Sequence, residues 1–147
     1  MANKINMGKK YRFTWLVEKG KIRELIETIG DDNAIYRDEH IARRQGYDNI
    51  VSPPTFCIIP LHWTGVALQV VNDLKLKVDR MMHAEEGYEY FDEIYPGDIL
   101  TGVLEIKGMT EKRGKTGILN FVELQTTFTN QHKKVVLKEE MLIVEKK

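Results

Sequence analysis

The sequence predicts an α+β domain in which a curved antiparallel sheet wraps around a long central apolar helix. Three observations lead there. The chain changes character near residue 75, with helix and loop patterns before it and strand patterns after it. The segment from Phe56 to about Asn72 is apolar nearly all round, which marks a buried helix. Three long β-branched-rich runs follow, separated by short polar loops, as in an antiparallel meander. A helix that is apolar on every side needs an apolar wrapping, and a curved sheet supplies one. The 147 residues suit a single domain over 1–147.

The elements follow in order. Over residues 20–29, Ile22, Leu25, Ile26 and Ile29 recur at helical spacing, and Gly30 is a natural left-handed stop. A polar segment, Asp31 to Tyr36, comes next. Asp38 caps a second short helix running to about Arg44 and closed by Gly46. Ser52-Pro53-Pro54-Thr55-Phe56 reads as the entry of the central helix, with Ser52 as its cap. Pro60 truncates or kinks that helix unless it lies in the first turn. Tyr88 to Tyr95 reads as a strand ended by the turn Pro96-Gly97-Asp98. Ile99 to Lys107, Ile118 to Asn130 and Lys134 to Glu145 are the three long strands.

Composition closes off several functions. Lys plus Arg and Asp plus Glu are 22 each, so no overall charge draws the chain to nucleic acid or to an anionic membrane. A single cysteine, Cys57, excludes an internal disulfide and fits a reducing compartment. No run reaches the roughly 20 apolar residues of a membrane helix, and Met1 to Lys10 has no signal-peptide core, so a cytoplasmic protein is expected. His40, His62, His83 and His132 show no metal-ligand spacing, so no metal is expected. No nucleophile elbow or glycine-rich phosphate loop is present.

Several segments together resemble one family. Gly30-Asp31-Asp32-Asn33-Ala34-Ile35, a short helix containing Ala42, a Gly-Tyr pair at 46–47, and Val51-Ser52-Pro53-Pro54-Thr55-Phe56 come first. His83 to Tyr90, Tyr95-Pro96-Gly97-Asp98, Gly8 to Tyr11 and Lys21 to Glu24 complete the pattern. The whole chain is similar to the MaoC-like hydratase/dehydratases, which are hotdog-fold proteins acting on acyl thioesters. It is most similar to the N-terminal-type domain, as in the non-catalytic-type subunit of heterodimeric 3-hydroxyacyl thioester dehydratases.

The resemblance implies a single hotdog domain that pairs with another, as a homodimer or as a heterodimer with a second hotdog chain. It implies an acyl-CoA or acyl-carrier-protein thioester as substrate, with no further cofactor. Active members hold water with an Asp and a His in a Gly-Asp-x-Asn-x-x-His motif, and helix N-terminal amides polarise the thioester carbonyl. Asp31 and Asn33 fall on that motif, but Tyr36 stands at the position of the His. A phenol with an ordinary pKa near 10 is a poor base at neutral pH. Ser52, Pro54, Thr55 and Phe56 are the residues implied at the thioester, and His40 reads as solvent-facing. Arg43, Arg44, Lys112, Arg113 and Lys115 are the cations available for a carrier phosphate.

The expectation is thus an acyl-thioester-binding subunit of a dehydratase or (R)-specific enoyl-CoA hydratase, completed by a partner chain carrying the Asp/His motif. The alternatives are a self-sufficient homodimeric enzyme using Asp31, and a catalytically inactive homodimer that binds acyl-CoA or scaffolds a complex. A thioesterase is the further option within the fold.

Overall fold

A computed structural model of the chain describes residues 7–114 and 117–147. Lys115 and the first six residues of the Met1–Lys10 stretch lie outside those described. Among the described residues, β1 (Lys10–Leu16) leads into α1 (Lys19–Ile29), a 3-10 turn at Ala34–Tyr36 and α2 (Glu39–Arg44). Then come α3 (Ile58–Trp63), α4 (Val66–Asp73), β2 (Met81–Tyr90), β3 (Ile99–Gly114), β4 (Gly117–Thr129) and β5 (Val135–Lys146). The strands form one antiparallel sheet in the order β1-β3-β4-β5-β2. Its inner face and the α3–α4 segment share one core, including Phe13, Phe56, Leu61, Val70, Leu104, Phe128 and Leu137. This is the hotdog arrangement. No helix among the described residues is long and apolar enough to cross a membrane.

The helical periodicity is realised at α1. Ile22 and Ile26 are fully buried, while Ile29 in the last turn is exposed. Gly30 takes a left-handed φ of 70°, and the Asp31 amide donates to the Ile26 carbonyl at 2.9 Å. That conformation costs glycine little and any residue with a Cβ more. The Asp38 carboxylate accepts from the His40 and Ile41 amides and starts α2, as expected.

The central helix differs from the expectation in two ways. It starts late, because Ser52 and Pro53 each precede a proline and are pushed out of helical geometry. Residues 53–57 form turns, with the Phe56 amide donating to the Pro53 carbonyl, and α3 begins at Ile58. It is also broken, at Gly65 rather than at Pro60. Gly65 adopts φ 78° between α3 and α4, whereas Pro60 sits in the first turn of α3, where no amide is missed.

The strands differ at their ends. β3 runs to Gly114, well past Lys107. β2 covers Met81–Tyr90, so it starts earlier and ends earlier than Tyr88 to Tyr95. β1 lies in the half expected to be helix and loop. Tyr11, Phe13 and Trp15 alternate inward along it, with Val17 buried just past its end, and Phe13 stacks edge-on against Phe128 with centroids 5.8 Å apart. The Phe13 ring occupies the space that a side chain at Gly102 would need, so only glycine fits opposite it.

Candidate active site

The Asp31–Tyr36 loop is built by its own side chains. Asp31 Oδ1 accepts from the Asn33 amide at 2.8 Å, and Asn33 Oδ1 accepts from the Ile35 amide at 3.2 Å. Two consecutive Asx turns thus feed the 3-10 turn that carries Tyr36. Arg37 Nη2 donates to the Asp31 carbonyl at 2.8 Å and closes the loop. Tyr36 is half-buried and packs on the core. Burial raises the pKa of its phenol, and the neighbouring negative charge of Asp31 raises it further. The loop therefore presents a carboxylate and a protonated phenol, with no imidazole.

The second expected segment lies beside this loop. The Val51 amide donates to the Ile35 carbonyl at 3.4 Å, and the Ser52 amide donates to the Ile94 carbonyl at 2.9 Å. Ser52 is buried and its hydroxyl has no hydrogen-bond partner. Its role as cap of the central helix is not realised, because its backbone is held by Ile94 and α3 starts six residues later. Phe56 is wholly buried in the core, whereas Pro54 and Thr55 are both exposed. The structure thus brings Asp31, Asn33, Tyr36 and Ser52 into neighbouring loops and turns Phe56 inward. His40 is exposed on α2. Arg43 donates through Nε to the Asp48 carbonyl at 3.2 Å, and the Lys112 ammonium lies 5.1 Å from the Phe121 ring centroid.

One polar group close to this segment has no counterpart in the sequence reading. The Pro54 carbonyl accepts from Tyr90 Oη at 2.8 Å, which ties the 53–57 turns to β2. Along β2, Glu86, Tyr88 and Tyr90 alternate inward, and Tyr88 lies opposite Glu139 of β5, which lies opposite Thr126 of β4. Glu139 is completely buried, beside the Glu86 carboxyl and the Thr126 side chain. Burial, reinforced by the adjacent Glu86 carboxyl, pushes its pKa up to about 9. Burial also raises the Cys57 thiol and both tyrosine phenols, so these three groups and the Glu139 carboxyl are protonated around pH 7. Glu86 lies at the rim of the cluster beside the exposed His83 imidazole. The alternation of β2 signals its inward residues, but nothing near Glu139 marks it as buried.

A carboxylate, a protonated phenol and a buried free hydroxyl can bind and orient a polar group. The raised phenol is no base near neutrality. Among the described residues, no group of His, Cys, Asp and Glu is placed to hold a metal ion.

Comparison with known proteins agrees with this fold. A UPF0336 protein of Thermobifida fusca (strain YX) is 30% identical over 145 residues, covering 97% of this chain and 93% of the relative. Among solved structures, the C-terminally truncated HadBC (3R-hydroxyacyl-ACP dehydratase) complex of Mycobacterium tuberculosis contains a chain that superposes with a TM-score of 0.79. It is 20% identical and covers 98% of this chain and 99% of that one. A MaoC-like dehydratase superposes with a TM-score of 0.83 at 22% identity, over 97% of this chain but 42% of that longer one. At such identities the two structures share the fold. Residues 7–139 match the family described as the FAS1-like dehydratase domain region. The chain belongs to that family.

Proposed function

We propose that this chain is the acyl-thioester-binding, non-catalytic-type subunit of a 3-hydroxyacyl thioester dehydratase, equivalently an (R)-specific enoyl-thioester hydratase. A second hotdog chain carrying the Asp/His motif supplies the acid and base. The observation that carries the reading is Tyr36. It occupies the motif position of the base, and its half-buried phenol is held protonated beside Asp31.

The chemistry sets what is missing. In hydration, a base takes a proton from water as the oxygen adds to C3 of the enoyl thioester. The electrons move onto the thioester carbonyl as an enolate, and C2 is then protonated. Dehydration is the reverse. The base needs a pKa near neutrality. In this chain Asp31 Oδ1 and Asn33 Oδ1 accept amides of the loop and shape it. The proposed contribution of the chain is binding. Ser52, with its unpartnered hydroxyl, faces the thioester, Pro54 and exposed Thr55 form the rim, and Phe56 backs the acyl pocket. The HadBC complex, itself a 3R-hydroxyacyl-ACP dehydratase assembly, supports a role inside a pair.

The test is hydration of a short enoyl-CoA, followed by loss of the conjugated-thioester absorbance. The chain alone should give no turnover above background, and adding a hotdog chain with the Asp/His motif should produce it. Full activity of the isolated chain would refute the partner requirement. Silence of the mixture would leave the acyl-CoA-binding homodimer as the better reading.

A further inference from the structure

The polar cluster behind Pro54 takes no part in the proposed chemistry, yet it stands in the way of a long acyl group. A chain that entered past Pro54 and Thr55 and followed Phe56 inward would run between α3 and the β5–β2 side of the sheet. That layer is full. Phe56, Cys57, Ile94, Phe128, Leu137 and Glu139 expose none of their surface, so no space the size of a water molecule borders them. Tyr90 Oη, donating to the Pro54 carbonyl at 2.8 Å, ties the 53–57 turns down over it.

The sheet side of the layer is also polar. Glu139 of β5 lies close enough to Cys57, the residue that starts α3, for the two to interact electrostatically, which places its carboxyl next to Phe56 in the chain. Around it stand the Glu86 carboxyl and Tyr88 of β2 and Thr126 of β4. An alkyl chain gains about fourfold in affinity for each methylene that leaves water for apolar neighbours. Laid against Glu139 it gains little. Pushing the carboxyl aside would leave a polar group buried without its partners. Lack of room and polarity therefore act in the same direction.

We infer that this chain selects thioesters of short acyl groups, which end against Phe56, and that Glu139 is the specificity-determining residue that keeps longer ones out. The inference rests on the thioester-binding role proposed above and adds the length of the acyl group.

Saturated acyl-CoAs, which cannot be hydrated, read this on the chain alone. Titration calorimetry compares free CoA, butyryl-CoA and decanoyl-CoA on the wild type and on Glu139→Ala. The wild type should bind butyryl-CoA more tightly than free CoA, and decanoyl-CoA no more than about thirtyfold more tightly than butyryl-CoA, far short of what a continuous apolar tunnel would give. Glu139→Ala removes the carboxyl and makes room, so the preference for decanoyl-CoA over butyryl-CoA should rise at least about tenfold. A purely structural role of Glu139 would not move that ratio. If Glu139→Ala does not fold, Glu139→Val makes the same comparison with less loss of volume. A wild type that favours decanoyl-CoA by more than about thirtyfold overturns the inference, and so does a folded variant that keeps the wild-type ratio. Acyl-CoAs that bind no better than free CoA at either length would overturn the thioester-binding role itself, and the inference with it.

Discussion

Tyr36 decides what this chain can do at its motif. Burial and the Asp31 carboxylate both oppose formation of a phenolate, so in the proposed function the hydroxyl is not the base near pH 7. Tyr36→Phe should therefore change kcat of the reconstituted pair by less than about threefold. A loss of a hundredfold or more, measured on a short enoyl-CoA, would mean that the phenol takes part in the chemistry. Glu139 carries a different consequence. Its carboxyl ionises near 9 in the fold and near 4.5 when free. A raised folded pKa stabilises the protein fully below the free value and loses that contribution as pH rises through the folded one. The melting temperature should fall as pH rises from about 5 to about 9 and should fall less in Glu139→Gln, which keeps the shape without the charge. Thermal melts across that range check this. An unchanged slope in the variant would remove Glu139 as the cause.

At the scale of elements, the closest fit is between β1 and β3. Gly102 lies under the Phe13 ring with no room for a Cβ. Gly102→Ala should cost about 1–3 kcal/mol by overpacking, measured by urea denaturation. A variant as stable as the wild type would show that β1 can shift without loss. Most elements are legible in the sequence because their periods are unbroken. The α1 face, the Asp38 cap and the alternation of β4 and of the Ile99–Lys107 part of β3 belong to that set. β1 is not legible in the same way although Tyr11, Phe13, Trp15 and Val17 alternate, because exposed Leu16 among them blurs the period. The start of the central helix is misleading because Ser52 looks like a cap locally. A bond to Ile94, forty-two residues away, together with two prolines, holds it elsewhere. The site divides in the same way. The Asp31–Asn33–Tyr36 loop is shaped by bonds between near neighbours in the chain, so its residues suffice to read it. Burial of Glu139 depends on Glu86, Tyr88 and Cys57 from other elements, and no local pattern carries that information.

At the scale of the whole molecule, one sheet packs on a broken helix. The loop that would hold a base in this family holds a neutral tyrosine. These features fit the proposed function, in which the chain supplies a binding surface while another chain supplies the proton chemistry. The most direct measurement is an asymmetric knockout in the reconstituted pair. Alanine at the motif histidine of the second hotdog chain should lower kcat for enoyl-CoA hydration by about a thousandfold or more, consistent with loss of a general base. Asp31→Asn in this chain should lower it by less than about threefold. The reverse pattern, with Asp31 essential and the second chain's histidine dispensable, would contradict the account.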